Sequence, residues 1–261
     1  MMSDRAPLAH CGVLVTRPVH QAQKVQRYLE ILGATPFLFP TLDIQPVKEL
    51  TSLSHIAEEL DQWDRIIFTS VNAVWHSMSV LSEVWSTPPP QLKIVAIGES
   101  TACALADYHW QPHLTPSKRY SSEGLLDLKD FQQIKNQRIL IISGANGRSY
   151  LKDQLKKAGA TVENCVVYHR QCPQVDVKPL IHYWEAQRIQ CVMITSGDGL
   201  KNLIELLGST YAHYWKETPL CVISERLAQV AREKGAQRLL VAQTASDEGM
   251  VEALLAWYEN D

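Results

Sequence analysis

Short apolar runs alternate along the chain with segments whose apolar residues recur every three or four positions. Val13–Thr16, Arg65–Phe68 and Arg138–Ile142 are runs of the first kind. Because turn-forming residues bound them, they are typical of strands buried on both faces. The segment from Ala22 to Leu32 shows the second pattern, which predicts an amphipathic helix. Regular alternation of the two predicts an α/β fold with parallel sheets and helices on both faces.

Hydroxyl residues stand where these predicted strands end and the next helices begin. Thr69-Ser70 follows Arg65–Phe68 directly and precedes an apolar helical pattern. Serine or threonine there is typical of an N-cap, which leaves backbone N–H groups free to bind an anion. Capping alone explains each such hydroxyl, at about 1 kcal/mol apiece. Taken together, hydroxyls along one edge of a sheet would offer many neutral donors and would suit a large polyanionic ligand.

Several landmarks recur at a nearly constant distance along the chain. The matched segments are Gly33-Ala34-Thr35 with Gly159-Ala160-Thr161, Phe68-Thr69-Ser70 with Ile194-Thr195-Ser196, and Ile97-Gly98-Glu99 with Ile223-Ser224-Glu225. Gly33 and Gly159 are 126 residues apart, as are Ser70 and Ser196. A constant offset in equivalent contexts predicts an internal duplication.

The duplication predicts two flavodoxin-like, doubly wound parallel-sheet lobes. We expect lobe one to comprise residues 1–40 and 174–261 and lobe two to comprise residues 45–170. The extended segments 36–46 and 162–173 are expected to cross between the lobes. Ligands of such sheets bind at the carboxyl ends of strands. If the lobes face each other, both sets of hydroxyl loops would lie on one cleft.

Composition excludes several classes of protein. The formal net charge of −3 argues against a dedicated nucleic-acid binder. No run reaches the roughly 18 apolar residues of a membrane span, and the first residues lack the apolar core of a secretory signal. The six cysteines form no C-x-x-C pair and no zinc spacing, so we expect free thiols, no metal and a cytoplasmic location.

No nucleotide-binding or hydrolase motif is present, and the remaining candidates are arginines and a tyrosine. Arg17, Arg148 and Arg226 each begin a predicted helix, where positive charge opposes the helix dipole. For Arg226, pairing with a neighbouring carboxylate and binding a ligand stay equally open. Tyr168 lies in a predicted crossing strand, where a packing role is the ordinary one, although its hydroxyl would reach the mouth of the cleft.

The order and spacing of these motifs resemble the uroporphyrinogen-III synthase family over nearly the whole chain. The motifs are Val13-Leu14-Val15-Thr16-Arg17-Pro18, Phe68-Thr69-Ser70-Val71-Asn72-Ala73-Val74, Ile97-Gly98 with Thr101-Ala102, Gly144 with Gly147-Arg148, and Val167-Tyr168 with Arg170. The resemblance implies a cofactor-free lyase that removes water from hydroxymethylbilane, inverts its last pyrrole and closes uroporphyrinogen III. It also implies a monomer that takes its substrate from hydroxymethylbilane synthase by transient hand-over, with no nucleic acid or membrane partner.

The resemblance also implies roles for individual residues. Tyr168 would assist departure of the hydroxyl group. The implied substrate-binding residues are Arg17, Thr69, Ser70, Asn72, Ser100, Thr101, Arg148, Thr195, Ser196, Gly197 and Ser224. Ser224-Glu225-Arg226-Leu227 departs from the family pattern of glycine and paired threonines. Asp198 would repel an anion, so Gly197 is expected to bind through its backbone.

Two other functions compete with this one. A non-catalytic ligand-binding or sensor module could share the fold, but it would ordinarily carry an effector segment, and the predicted last helix ends near Trp257. A nucleotide-dependent enzyme on a flavodoxin-like scaffold would need a phosphate-binding motif that the chain lacks.

Overall fold

The computed structural model describes residues 6–117, 119–145 and 149–259. Its strands are β1 (Gly12–Val15), β2 (Thr35–Leu38), β3 (Asp43–Pro46), β4 (Arg65–Phe68), β5 (Lys93–Ala96), β6 (Arg138–Gly144), β7 (Thr161–Gln171), β8 (Cys191–Ile194), β9 (Leu220–Val222) and β10 (Leu239–Val241). Its helices are α1 (Val19–Ile31), α2 (Thr51–Glu58), α3 (Val71–Val84), α4 (Glu99–Ala106), α5 (Ser122–Leu126), α6 (Tyr150–Lys157), α7 (Lys178–Glu185), α8 (Gly197–Leu207), α9 (Ala212–Glu217), α10 (Glu225–Glu233) and α11 (Asp247–Tyr258).

The chain divides into two units, each built around one five-stranded sheet. The first unit comprises Met1–Asp43 and Gln171–Asp261, and the second comprises Ile44–Arg170. The first sheet has the strand order β10-β9-β8-β1-β2, and the second has the order β3-β7-β6-β4-β5. The pairings among β1, β2, β8, β9 and β10 are parallel, as are those among β4, β5, β6 and β7. The α/β class with two parallel sheets, predicted from the alternation of apolar patterns, is therefore confirmed.

The strand registers of the two sheets repeat at the offset seen in the sequence. Val13 pairs with Cys191 in the first sheet, and Ile139 pairs with Arg65 in the second. Val13 and Ile139 are 126 residues apart, and so are Arg65 and Cys191. The same displacement relates the β1–β2 register to the β6–β7 register, and the β8–β9 register to the β4–β5 register. Each sheet therefore takes strands from both halves of the sequence, as an exchange between duplicated halves would produce.

The central strand β4 is covered by apolar layers on both faces. Ile66 and Phe68 pack into one buried cluster, and Ile67 packs into the other. Side chains alternate between the faces of a strand, so a continuous apolar run is required wherever helices cover both. The strand β1 of the first unit repeats this arrangement with Leu14 on one face and Val13 and Val15 on the other.

One of the two predicted extended segments is interrupted in the structure. Residues 36–46 form no continuous strand, because β2 ends at Leu38 and β3 begins at Asp43. Pro40 lies in the gap, and proline has no N–H to donate to a ladder. By contrast, β7 runs unbroken for 11 residues.

Within the part of the chain that the structure describes, no helix is long and apolar enough to span a membrane.

Replacing Ile67 with alanine should destabilise the second unit by about 2–5 kcal/mol, since the residue is fully buried in β4 and its truncation leaves a cavity. Ile31→Ala is the matched control, because Ile31 ends α1 with 77% of its surface exposed. Urea unfolding of both variants measures the difference. Equal loss of stability in the two would show that the burial of β4 is assigned wrongly.

Charged side chains join the first helix of the first unit to its last helix. Glu248 of α11 accepts hydrogen bonds from Lys24 and from the Tyr28 hydroxyl, both on α1. The hydrogen bond from Lys24, followed by those from its own backbone N–H and from Tyr28, lowers the pKa of the Glu248 carboxyl from 4.5 to about 2. A carboxyl group whose pKa is lower in the folded than in the unfolded chain stabilises the folded state at pH values above its unfolded pKa.

Stability of the first unit should therefore fall as the pH drops from about 4.5 towards 2, because protonation of Glu248 breaks its hydrogen bond from Lys24. Glu248→Gln should make this decline shallower, as followed by thermal unfolding midpoints across that range. Glu252→Gln, at an exposed position of the same helix, is the control and should keep the wild-type slope. An unchanged slope for Glu248→Gln would contradict the assignment.

Candidate functional site

Serine N-caps occupy the carboxyl edge of both sheets. In each, the side-chain oxygen accepts a hydrogen bond from the backbone N–H three residues further on. The capping serines are Ser70, Ser121, Ser196, Ser224 and Ser246. The capping predicted from the sequence for the start of the helix after β4 is confirmed at Ser70. The helix starts that they hold keep other backbone N–H groups directed outward at the strand ends.

A pocket of about 370 Å³ lies at this edge of the second sheet. It is bordered by the exits of β4 and β6, the two strands between which the order of the sheet reverses. Ligands of open α/β sheets bind at such reversals, because the loops diverge there and leave a crevice. The polar residues that line the pocket are Thr69, Ser122, Ser143, Ser149, Lys152, Asn164, Tyr168 and Arg170.

The hydroxyl group of Tyr168 is held from two sides. It lies 3.0 Å from Ser70 Oγ and accepts a hydrogen bond of 3.1 Å from Nη2 of Arg170. The Arg170 guanidinium also lies 5.7 Å from the centre of the tyrosine ring. Only 1% of Tyr168 is exposed, which agrees with the packing role that is ordinary for a strand tyrosine. The side chain is buried because its ring joins the apolar layer that includes Phe68 and Val167.

Gly144 makes room for the tyrosine ring. The β6–β7 register shifts between Ser143 and Gly144, so that Gly144 pairs with Tyr168. A Cβ atom on Gly144 would lie 2.5 Å from Cζ of Tyr168 and 2.9 Å from its hydroxyl oxygen. Close approach of a side chain to backbone is thus the reason that glycine is needed here.

The other residues predicted to bind substrate in the second unit differ in their exposure to solvent. Thr69 Oγ1 donates to the Ile142 carbonyl at 3.0 Å and lines the pocket. Asn72 and Thr101 are buried, with 6% and 2% of their surfaces exposed, whereas Ser100 is exposed. The structure thus brings Thr69, Ser70 and Tyr168 together. It leaves the Thr101 side chain turned into the protein, with Ser100 open on the same turn of α4.

The predicted residues of the first unit lie at the carboxyl edge of its own sheet. Thr195 and Ser196 follow β8, and Gly197 is exposed at the start of α8 with nothing within 4 Å of where its Cβ would be. Ser224 caps α10, and Arg226 is exposed in its first turn.

Arg17 is paired with a carboxylate of its own unit. Its Nη1 lies 2.5 Å from Oδ1 of Asp247 in the first turn of α11, and both side chains are largely buried. Pairing with this neighbouring carboxylate explains an arginine at a helix start without requiring a ligand. Arg148, also predicted to bind substrate, lies outside the described residues.

Arg170, Asn164 and Gly144 were missed as site residues. Asn164, Val166, Tyr168 and Arg170 are alternate positions of β7, and all border the pocket. A period of two along a strand was the available signal, since alternate residues share a face. The need for glycine at position 144 has no such signal, because it depends on which strand pairs with β6.

Comparison with known proteins assigns the family. The family model described as uroporphyrinogen-III synthase HemD matches residues 23–252. The curated uroporphyrinogen-III synthase of Escherichia coli (strain K12) is 34% identical over 93% of this chain and 99% of its own. The chain belongs to the uroporphyrinogen-III synthase family. The enzyme of the same name from Salmonella typhimurium is 31% identical over the same shares.

Solved structures of uroporphyrinogen-III synthases share the fold. A mutant enzyme from the extremely thermophilic bacterium Thermus thermophilus superposes with a TM-score of 0.62 at 16% identity, covering 96% of this chain and 100% of that one. The protein from Helicobacter pylori 26695 gives a TM-score of 0.60 at 16% identity, covering 95% and 99%. These structures show the fold, and the family predicted from the sequence is confirmed by the family model and the curated relatives. Tyr168, Ser70 and Gly144 fall inside the matched residues of the family model, whereas Arg17 precedes them.

Nucleophilic thiol chemistry has no support beside this pocket. Burial, with a smaller contribution from Glu163, raises the pKa of the Cys165 thiol to about 11, so it stays protonated at neutral pH. In residues 6–117, 119–145 and 149–259, no group of three or more His, Cys, Asp or Glu side chains could hold a metal ion.

Gly144→Ala should displace the Tyr168 ring, because the added Cβ would overlap it, and should cost about 1–3 kcal/mol of stability. Gly197→Ala is the control for stability, since nothing lies within 4 Å of its new methyl group. Thermal unfolding compares the two variants. If Gly144→Ala proves as stable as Gly197→Ala, the packing of Tyr168 on Gly144 is wrong.

Proposed function

We propose that this chain is a hydro-lyase that closes hydroxymethylbilane to uroporphyrinogen III. The observation that carries the proposal is the match to curated uroporphyrinogen-III synthases over nearly the full length of both chains. A relationship of that extent favours the enzyme over a non-catalytic ligand-binding module, because the relatives at this similarity are named for the reaction.

The pocket of the second unit supports this chemistry. The substrate is a linear tetrapyrrole bearing carboxylates. Thr69 lines the pocket, and Ser70 and the backbone N–H groups at the start of α3 follow it directly in the chain. Such donors bind carboxylates without requiring net positive charge on the protein. We assign Thr69 and these backbone N–H groups to this binding.

The hydroxyl groups of the pocket suit the chemical step. Loss of hydroxide from a carbinol beside an electron-rich pyrrole needs modest acid assistance, which a buried hydroxyl network can supply. Tyr168, hydrogen-bonded to Ser70 and Arg170, is the group that we assign as the source of the proton for this assistance. Spontaneous closure proceeds without inversion of the last pyrrole. The main task of the protein is therefore to hold the substrate so that the substituted carbon of that ring is attacked.

Other expectations stay predictions. They include substrate binding by Arg17, Asn72, Ser100, Thr101, Arg148, Thr195, Ser196, Gly197 and Ser224. They also include a monomeric state, hand-over from hydroxymethylbilane synthase and action without a cofactor. A cytoplasmic location is supported by the cysteines, all six of which are free thiols.

An isomer assay tests the function. The protein is supplied with hydroxymethylbilane made freshly by its synthase, the products are oxidised, and the porphyrin isomers are separated by chromatography. We expect the type III isomer in excess, because the protein should direct attack to the substituted carbon.

Reactions with no protein and with heat-denatured protein are the controls, and these should give the type I isomer. If the native protein also yields only type I, the proposed function is wrong.

A further inference from the structure

Ser70 lies between the buried tyrosine and the start of α3. Its Oγ accepts a hydrogen bond of 3.0 Å from the backbone N–H of Ala73 and is 3.0 Å from the Tyr168 hydroxyl. Ser70 is partly exposed, whereas only 1% of Tyr168 is. Solvent can therefore reach Ser70 more readily than Tyr168, whose buried side chain borders the pocket next to it.

The donors around these two hydroxyl groups determine which of them donates the hydrogen bond that joins them. Arg170 can only donate, so it occupies a lone pair of the Tyr168 oxygen. A phenol is a stronger acid than an alkanol and a poorer acceptor, because its oxygen is conjugated with the ring. Donation from Tyr168 to Ser70 is therefore the favoured arrangement. Ser70 Oγ then receives two hydrogens, from Ala73 and from Tyr168, and its own hydrogen is left for a third group.

We propose that Ser70 gives the proton directly to the departing hydroxyl group and that Tyr168 and Arg170 act through Ser70. In this relay Ser70 is the catalytic residue, whereas Tyr168 resupplies its proton and Arg170 positions the phenol. The inference rests on the proposed function and deepens it, since it assigns the acid beside the same pocket.

The relay balances in protons and electrons. The carbon–oxygen bond of the carbinol breaks, its electron pair stays on oxygen, and the Ser70 hydrogen completes a water molecule. Ser70 Oγ takes the Tyr168 hydrogen, which leaves a phenolate beside the Arg170 guanidinium. Ring closure then releases one proton from the attacked pyrrole, and that proton restores the tyrosine. One water leaves per turnover, and neither oxidant nor reductant is needed.

The relay predicts that Ser70→Ala and Tyr168→Phe interrupt the same process. Each should lower kcat by about 10²-fold, within the range for general acid catalysis, with a much smaller change in KM. Because residues acting as a unit are not additive, the double variant should be no slower than the slower single one. Ser70→Thr should keep most of the wild-type kcat, since it retains a hydroxyl at that position.

Ser246→Ala is the matched control for the lost helix cap. Ser246 caps α11 by the same contact, to Gly249, that Ser70 makes to Ala73, at 3.1 Å and 3.0 Å. It should lose about 1 kcal/mol of stability, as expected for a cap, while keeping full activity. Loss of activity in Ser70→Ala but not in Ser246→Ala separates proton delivery from capping.

A second measurement does not depend on the folding of Ser70→Ala. The rate of Tyr168→Phe and of wild type is followed in mixtures of H₂O and D₂O. If two protons move in the same step, the wild-type rate should depend on the deuterium fraction along a curve. For Tyr168→Phe, in which only one proton moves, the rate should follow a straight line. A straight line for wild type, or independent losses that multiply in the double variant, would overturn the relay while leaving the isomer assay unaffected. Absence of type III product from wild type would instead overturn the proposed function.

Discussion

Parallel pairing of buried strands is the constraint on which the rest of this structure depends. Strands such as β4 are covered on both faces, so their backbone N–H and C=O groups can be satisfied only by neighbouring strands. Parallel pairing then brings the carboxyl ends of the paired strands to one edge of the sheet. Helices must begin at that edge, and the serines that cap them are consequently gathered there.

The repeat in the sequence appears in the structure as a repeat of the strand pairing. Strands from one half of the chain pair with strands from the other half, and the registers recur at the same displacement of 126 residues. In the second sheet the reversal of strand order falls between β4 of the first half and β6 of the second. The pocket at the reversal therefore combines Thr69 with Ser143, which lie far apart in the sequence.

The pocket is organised by close packing as much as by polar groups. The missing side chain of Gly144 lets the Tyr168 ring approach the strand β6, which brings the hydroxyl within reach of Ser70. Arg170, two residues further along β7, reaches the same oxygen. A buried phenol with two partners has little freedom to reorient. An arrangement fixed before the substrate arrives lowers the cost of ordering during the reaction.

The sequence by itself determined the elements and their caps, because these depend on residues close together in the chain. The buried run before Thr69 and the serine three residues before Ala73 are enough to predict a strand, an N-cap and a helix. The tertiary structure alone decided the burial of Tyr168, the pairing of Arg17 with Asp247 and the need for glycine at position 144. Those features depend on contacts between residues distant in sequence, and such contacts exist only once the register of the strands is set.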